Sequence, residues 1–390
     1  MLIDAAMTHR VAIVGAGPSG FYAADGLLRT RPDLRIDLID RLPTPFGLVR
    51  AGVAPDHQGT KAIMRQFERL LAQPDVRFAG NVEIGRDLSW EELQAGYDAV
   101  IVATGMVIDR KLGVPGEELP FVWGSWKFVA WLNGHPDFRQ GPDLSTVKKV
   151  AVIGNGNVAL DVARVLAKSA DEMAKSDIVP EAGAAIAAAP LTDIYLVGRR
   201  GPEQASFTGN ELAEMGRLSR AVAVAGPAAL AVEAPAGDPT PERLRKARNL
   251  EILKGFARNV PGSKPITVHF IFNRPTAAIE PGDFDLVITC IGYEGVAFPK
   301  GEGVFPVGWA KRGPSGTIPT NRADSHAVAQ QVIAWLKERD PKSGPDPMPL
   351  SVDLAGWHRI DKAEVAAGAK LGRPRVKLTD WKALLETAEG

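Results

Sequence analysis

The sequence predicts an α/β protein made of two doubly wound, Rossmann-like units. Apolar strands run into glycine-rich turns at residues 11–20 and again at 150–159. A helical pattern and then another apolar strand follow each turn. This order is typical of a dinucleotide-binding βαβ unit, because the glycines let the backbone turn tightly and bring a pyrophosphate to the N-terminus of the following helix. A length of 390 residues also suits two or three domains.

The first unit begins with a strand at 11–14 and its glycine turn at 15–20. Its second strand, 36–40, closes with Asp40, at the offset expected for a carboxylate that accepts hydrogen bonds from ribose hydroxyls. The segment 41–60 is rich in proline and glycine, so we expect a loop that reaches over a ligand. The remaining predicted elements are a helix at 59–72, short strands at 76–78 and 81–84, and a buried strand at 97–105.

The second unit repeats the pattern but ends in the opposite charge. Its turn reads Gly-x-Gly-x-x-Ala at 154–159, and its next strand, 194–198, runs into Arg199 and Arg200. Two guanidinium groups at that place would hold a 2′-phosphate. The chain is therefore predicted to bind two different dinucleotides, one of them NADP-like. The elements that follow are a loop at 225–241, a basic helix at 243–256, strands at 266–272 and 285–291, and helices at 322–339, 361–369 and 379–386.

The last third of the chain carries ligand-loop features of its own, at 308–318. We therefore interpret the second unit as inserted into the first. The predicted division is an FAD-binding domain formed by 1–108 and 297–390, and an NADP-binding domain formed by 109–296.

Composition excludes several classes of protein. Forty-six basic and 46 acidic residues cancel, so no global charge points to nucleic acid. No run of 18 apolar residues predicts a membrane span, and the N-terminus lacks a signal-peptide pattern, so we expect a cytoplasmic protein, as a monomer. Cys290 is the only cysteine, which excludes an intrachain disulfide, a Cys-x-x-Cys pair and an iron–sulfur cluster; we expect a packed core thiol and no metal site.

Longer motifs narrow the prediction to one family. The run LPTPFGLVRAGVAPDH at 42–57 is far more specific than a single glycine motif, and GNGNVALD (154–161), VGRRG (197–201), GWAKRGPSGTI (308–318) and GRPRVK (372–377) accompany it. Together these motifs resemble the adrenodoxin-reductase-type ferredoxin–NADP reductases, particularly their bacterial members. The resemblance implies two doubly wound domains, with FAD in the larger and NADP in the smaller. It also implies that the NADP domain is shortened here, between residues 273 and 284.

The resemblance further implies which residues touch each cofactor, and which would be catalytic. Hydride transfer between two cofactors requires no protein base, so two roles stay open for the catalytic candidates: fixing the loop, or orienting the nicotinamide and balancing protons. The FAD set is Gly15, Gly17, Pro18, Ser19, Asp40, Gly47, Leu48, Val82, Thr104, Gly105, Trp309, Gly316, Thr317 and Ile318. The NADP set is Asn155, Gly156, Asn157, Val158, Arg199, Arg200, Glu211 and Gly316. The catalytic candidates are His57, Asp56 and Glu211.

The implied activity is that of an FAD-dependent NADPH:ferredoxin oxidoreductase, in which electrons leave singly to an iron–sulfur protein. Four cations of the basic helix, Arg243, Arg245, Lys246 and Arg248, form either a solvated face or a docking site for a small acidic iron–sulfur protein. Two alternatives stay open. One is an NADPH-dependent flavoprotein with another acceptor, such as a quinone, oxygen or a monooxygenase substrate. The other is a non-catalytic flavin-binding partner protein.

Overall fold

The computed structural model describes residues 8–226, 231–232, 240–316 and 318–390. The strands are β1 (Arg10–Val14), β2 (Arg35–Asp40), β3 (Val76–Gly80), β4 (Ala99–Val102), β5 (Ile108–Asp109), β6 (Val122–Gly124), β7 (Lys149–Ile153), β8 (Asp193–Val197), β9 (Ala221–Ala225), β10 (Ile266–Ile271), β11 (Leu286–Thr289), β12 (Tyr293–Glu294) and β13 (Val304–Pro306). The helices are α1 (Pro18–Thr30), α2 (Leu48–Ala51), α3 (Gln58–Lys61), α4 (Met64–Leu71), α5 (Trp90–Gly96), α6 (Ser125–Leu132), α7 (Asn157–Ala167), α8 (Ala170–Met173), α9 (Pro180–Ala188), α10 (Gly209–Met215), α11 (Pro241–Phe256), α12 (Trp309–Arg312), α13 (Ile318–Lys337), α14 (Leu354–Ala369) and α15 (Trp381–Glu389).

The first sheet is parallel and has the order β13-β4-β1-β2-β3. Helix α1 starts directly after the first glycine turn, with Pro18 at a position where a missing N–H costs nothing, and it buries Phe21 and Leu27. It packs along α13, which follows β13 in the last third of the chain. The chain thus leaves the first sheet after β4 and returns to it at β13, which is the insertion that the sequence predicts.

The second sheet is also parallel, with the order β6-β11-β7-β8-β10-β9. One face packs against helices, chiefly α7, α9 and α10, through residues such as Leu160, Ile186 and Leu212. A smaller apolar cluster lies on the other face, where the loop residues Phe121 and Phe284 cover the strands. Both sheets therefore present the carboxyl ends of β1 and β7 to a glycine turn and a following helix, which is where parallel α/β sheets bind ligands.

The two sheets are joined at one place by a short antiparallel ladder. Strand β5 leaves the first sheet and β12 returns from the second, and they pair at Asp109–Tyr293 and Ile108–Glu294. The chain therefore enters and leaves the second unit through adjacent strands. Within the described part of the chain, no helix is both long enough and apolar enough to cross a bilayer.

Three local predictions were wrong. Residues 81–84 form no strand, because Asn81 has a φ of 59° and turns the chain out of the sheet. The predicted helix at 59–72 is two short helices, α3 and α4, broken between Lys61 and Met64. Strand β9 was not predicted, since three of its five residues are alanine, which is depleted in strands, and only Val222 and Val224 are branched. The loop predicted at 225–241 lies mostly outside the described residues.

A buried ionic cluster ties the C-terminal tail to both units. Lys61 and Lys377 place their ammonium groups 2.7 Å and 2.9 Å from the carboxylate of Asp177, and both donate to the side-chain oxygen of Asn133. All four side chains are buried. Burial lowers the pKa of both lysines, and Asp177 opposes that shift. The cluster joins α3 and the tail to the segments around α6 and α8.

We expect the free energy of unfolding to fall in mild acid because of His135. This residue is 5% exposed, and its Nδ1 accepts a hydrogen bond from the backbone N–H of Asp137 at 3.2 Å. Burial lowers the pKa of His135 from 6.5 to about 4, against the opposing charge of Asp137. Between these two values the unfolded chain binds a proton that the folded protein excludes. The stabilisation is therefore complete at neutral pH, and about 2–3 kcal/mol of it is lost as the pH falls through this window.

Urea unfolding of the wild type, His135→Gln and the exposed control His358→Gln, at about pH 7.5 and about pH 5, measures this loss. Between these two pH values the free energy of unfolding should fall equally in the wild type and in His358→Gln. In His135→Gln it should fall by about 2 kcal/mol less. Equal losses in all three proteins would contradict the assignment.

Candidate functional site

The first glycine turn leaves no room for a side chain at Gly15. Gly15 has a φ of +110°, and a Cβ atom there would overlap the carbonyl oxygen of Ala103. The carboxylate of Asp40 accepts hydrogen bonds from the backbone N–H groups of Ala16 and Leu42, each at 2.9 Å. Burial raises the pKa of Asp40, and these two bonds oppose it. Turn and carboxylate are thus fixed side by side, as a pyrophosphate cradle beside a ribose acceptor requires.

Three separate segments meet at this turn. A Cβ atom on Gly47 would lie 3.0 Å from the Cα of Gly17, and one on Gly308 would overlap the side chain of Ser19. The backbone N–H of Gly308 donates to Asp324 at 2.7 Å. The ring of Trp309 stacks on that of Tyr293, with centroids 6.0 Å apart. The structure therefore brings the predicted FAD residues of all three segments together; Thr317 lies outside the described residues.

The second glycine turn is built in the same way. Gly154 has a φ of +144°, and a Cβ atom there would overlap the carbonyl oxygen of Cys290. The carbonyl of Asn155 accepts the N–H of Ser206 at 2.8 Å, and the side-chain oxygen of Asn157 accepts the N–H of Thr208 at 2.8 Å. These bonds hold the segment after β8 against the turn. Burial raises the pKa of the Cys290 thiol, which fits the packed role predicted for it.

Arg199 and Arg200 lie where the sequence places them, directly after β8. Both are exposed, and neither guanidinium has a hydrogen bond or ion pair with any residue that the structure describes. Glycine and proline follow at 201 and 202 and turn the chain back toward the glycine turn. Two cations therefore follow β8 without an ion pair to any described anion.

A cluster of titratable side chains joins the two units. We name it the His57 cluster; its members are His57, Asp161, Glu211 and Glu214, together with the guanidinium of Arg164. The imidazole of His57 lies 3.8 Å from Asp161 and 3.4 Å from both Glu211 and Glu214. Burial raises the pKa of Asp161 and of Glu211. The charge of Asp161 raises the pKa of Glu211 further, and Arg164 and His57 lower both pKa values. The cluster lies where the loop at 41–60 meets α7 and α10.

Asp56 is the anionic partner of two cations. Its carboxylate accepts bonds from Arg164 at 2.8 Å and 3.0 Å and from Lys168 at 2.7 Å, and its side chain is 4% exposed. Burial would raise the pKa of Asp56, but the two cations outweigh burial and hold the pKa below its usual range. Of the two roles left open for Asp56, this geometry favours fixing the loop.

One member of the predicted docking set makes hydrogen bonds within the protein. The guanidinium of Arg245 donates to the carbonyl oxygens of Ala205 and Phe207, at 3.2 Å and 3.1 Å, and so anchors α11 to the segment after β8. Its Nη1 atom is therefore already occupied within the protein. Lys246 forms an ion pair with Glu242 at 2.8 Å, and Arg248 is exposed.

Buried polar atoms without partners show whether these turns suit nucleotide cofactors. In the described part of the chain five buried side-chain atoms have no hydrogen-bond partner: Asn155 Oδ1, Asp161 Oδ1, Glu203 Oε2, Asn249 Oδ1 and Arg312 Nε. Asp161 Oδ1 still has the guanidinium of Arg164 at 2.8 Å. Asn155 and Glu203 flank the second turn, and Arg312 lies in the segment beside the first. Since buried polar groups are normally paired, their clustering here fits sites that ligands complete.

Comparison with known proteins identifies the family. A family model described as pyridine nucleotide-disulphide oxidoreductase matches residues 9–190. NADPH-ferredoxin reductase FprA of Mycobacterium tuberculosis is 36% identical, over 98% of this chain and 99% of that protein. The chain belongs to the adrenodoxin-reductase-type ferredoxin–NADP reductases. Mitochondrial NADPH:adrenodoxin oxidoreductase of Arabidopsis thaliana is 33% identical to this reductase, over 97% and 95% of the two chains.

The solved structure of Mycobacterium tuberculosis FprA in complex with NADPH matches this reductase with a TM-score of 0.87, at 35% identity over 98% of this chain and 100% of that one. The sequence alignment with FprA runs over 463 positions, whereas this chain has 390 residues. This reductase is therefore shorter than its relative. The family resemblance inferred from the motifs, and the two-unit Rossmann-type fold that it implies, are confirmed.

Sequence reasoning missed part of the His57 cluster in this reductase. Asp161, Arg164 and Glu214 were not proposed as site residues, because nothing in the local sequence joins α7 and α10 to the loop at 41–60. The one usable signal was spacing: Asp161 and Arg164 lie on one face of a helix that begins at a glycine turn.

Proposed function

We propose that this FAD-dependent NADPH:ferredoxin oxidoreductase binds FAD at the first glycine turn and NADPH at the second, and passes electrons to a small acidic iron–sulfur protein. One observation supports this assignment above the others: the two turns end in opposite charges, Asp40 at the first and Arg199–Arg200 at the second. A carboxylate accepts ribose hydroxyls and guanidinium groups bind a 2′-phosphate, so only the second site suits NADPH.

FAD, when bound, supplies the redox chemistry: it takes a hydride from NADPH and releases the electrons one at a time. The protein's part is to hold and to orient. The turn at Gly15–Ser19 and the carboxylate of Asp40 bind the FAD pyrophosphate and ribose, with Gly47, Leu48, Val82, Thr104 and Gly105 around them. Trp309, Gly316 and Ile318 are the residues that we propose for the ring system, together with Thr317, which lies outside the described residues. Asn155, Gly156, Asn157 and Val158 bind the pyrophosphate of NADPH.

The His57 cluster orients the reduced nicotinamide and stores protons. Glu211 and Asp161 have raised pKa values, so one of them holds a proton more readily than an ordinary carboxylic acid does. Asp56 acts as a positioning residue through Arg164 and Lys168. No protein base is required for the hydride itself.

Arg243, Lys246 and Arg248 are the cations of α11 that we propose for docking the iron–sulfur protein. Lys246 and Arg248 lie on the same helix as the anchoring Arg245, so the surface is fixed against the second sheet. Electrostatic docking of this kind weakens with salt.

We also propose that the chain is divided into an FAD-binding domain, 1–108 with 297–390, and an NADP-binding domain, 109–296. The two separate sheets support this division. We further propose that the protein is a monomer in the cytoplasm, and its single free cysteine is compatible with that compartment.

An anaerobic stopped-flow experiment tests the function. The purified holoenzyme is mixed with NADPH and followed at about 450 nm, then challenged with an oxidised ferredoxin at low and at high ionic strength. We expect NADPH to bleach the flavin, and ferredoxin to restore its colour faster at low salt. Bleaching that ferredoxin does not reverse would replace the acceptor with a quinone, oxygen or another substrate. A flavin that NADPH leaves oxidised would contradict the enzymatic function.

A further inference from the structure

Glu203 is half-buried, and one oxygen of its carboxylate is a buried acceptor that no described residue satisfies. Glu203 lies on the turn that follows Arg199 and Arg200, and its Oε2 atom has no hydrogen-bond partner among the residues that the structure describes. The two nearest cations in sequence do not neutralise it, since neither forms an ion pair with a described residue. A buried acceptor without a donor is costly, so its retention requires an explanation.

Hydrogen bonds tie the segment that carries Glu203 to the second glycine turn. Ser206 donates to the carbonyl of Asn155 through both its N–H and its hydroxyl, at 2.8 Å and 3.1 Å. Ser206, three residues after Glu203, therefore lies directly against the turn. In dinucleotide-binding folds the residue beyond the second strand of the unit is the one that meets the adenosine ribose.

Gly201 makes the position of this carboxylate possible. A Cβ atom at Gly201 would lie 2.5 Å from Oε2 and 2.7 Å from Oε1 of Glu203. Gly201 itself has a φ of −70°, so alanine is compatible with its backbone and only the carboxylate would have to move. The carboxylate of Glu203 thus lies over Gly201, the residue that follows the two exposed arginines in sequence.

We propose that Glu203 accepts a hydrogen bond from a ribose hydroxyl of the pyridine nucleotide, and so sets how strongly the site prefers NADPH over NADH. The inference rests on the proposed function, because it takes the second turn as the nucleotide site. A 2′-phosphate offers acceptor oxygens and negative charge, which Arg199 and Arg200 attract and Glu203 repels. A free 2′-hydroxyl offers a donor, which suits Glu203. The site therefore carries a determinant for each nucleotide.

The experiment measures binding rather than turnover. The oxidised holoenzyme is titrated with 5′-ADP and with 2′,5′-ADP, fragments that differ in the 2′ group, for the wild type, Glu203→Ala, Gly201→Ala and Glu203→Gln. The exposed neighbour Gln204→Ala is the matched control. Loss of one hydrogen bond to a charged acceptor is expected to weaken binding of 5′-ADP about ten-fold in Glu203→Ala and in Gly201→Ala. Removal of the charge in Glu203→Gln is expected to tighten binding of 2′,5′-ADP about three-fold.

The proposal is supported if the dissociation constant for 5′-ADP, divided by that for 2′,5′-ADP, rises in Glu203→Ala and in Gly201→Ala but not in Gln204→Ala. An unchanged ratio in Glu203→Ala, or an equal loss for both fragments, overturns it and leaves a packing role. Flavin content and the melting temperature show whether Glu203→Ala is folded. If it is not, the result for Gly201→Ala, which keeps the carboxylate but displaces it, tests the proposal. If the wild type binds neither fragment, the proposed function fails, and not this inference alone.

Discussion

Replacing Arg199 and Arg200 together by alanine is expected to raise the Michaelis constant for NADPH about a hundred-fold and to change that for NADH little. Each charge-assisted hydrogen bond to a phosphate contributes about 1.5–3 kcal/mol, and the two guanidinium groups have no described protein partner that would compete for them. NADH lacks the 2′-phosphate and therefore loses none of these bonds. We expect the effect to fall on binding, since the 2′-phosphate that we propose for this pair belongs to the adenosine end of the cofactor, away from the transferred hydride.

Steady-state kinetics with both nucleotides, together with titration by NADP⁺, measure the effect. The matched control is Arg65→Ala with Arg69→Ala, two exposed arginines on α4 that belong to the first unit. The control should behave as the wild type does. If the Michaelis constants for NADPH and for NADH rise equally in the double variant, the 2′-phosphate role of the pair is wrong. The substitutions would then have a general effect on the turn after β8.

Glu364→Ala is expected to lower the free energy of unfolding by about 3–5 kcal/mol and to reduce the bound flavin. Glu364 is 1% exposed, and its carboxylate accepts two bonds from Arg50, at 2.8 Å and 2.5 Å, and one from Arg375 at 3.2 Å. Burial raises the pKa of Glu364, but the two cations outweigh it and hold that pKa below its usual range. Alanine would leave the buried guanidinium of Arg50 without its anion, whereas Arg375 would keep its ion pair with Asp361 at 2.6 Å.

The loss of flavin follows from the position of Arg50. This residue belongs to α2, directly after Gly47 and Leu48, and Lys377 also donates to its backbone carbonyl at 3.1 Å. The tail therefore holds the loop that packs on the first glycine turn. Urea unfolding and the flavin-to-protein absorbance ratio measure the two effects. Glu386→Ala, which breaks only an exposed pair with Lys382 at 3.7 Å, is the control and should change stability by less than about 0.5 kcal/mol. Equal stability of the two variants would contradict the role assigned to Glu364.

The parts of the fold that follow from local sequence were predicted, and the parts that depend on distant contacts were not. The two glycine turns, Asp40 and the arginine pair were found because strand, turn and helix are contiguous and their spacing is fixed by backbone geometry. The meeting of His57 with Asp161, Glu211 and Glu214 depends on how two units pack, and no local pattern encodes it. Arg245 shows the converse: a cation counted as a solvated or docking group donates to two backbone carbonyls, which composition does not reveal.

The pairing of β5 with β12 explains how such a chain tolerates a change of length. Tyr293 lies opposite Asp109, so the two ends of the inserted segment are one strand spacing apart, about 5 Å. The inserted segment can therefore be treated as one long loop whose two ends are held together by this pairing. The entropic cost of closing a loop grows only with the logarithm of its length. Residues can be gained or lost inside that loop while its two anchors stay where they are. A change of length in the second unit would therefore leave the first sheet and its glycine turn unaltered.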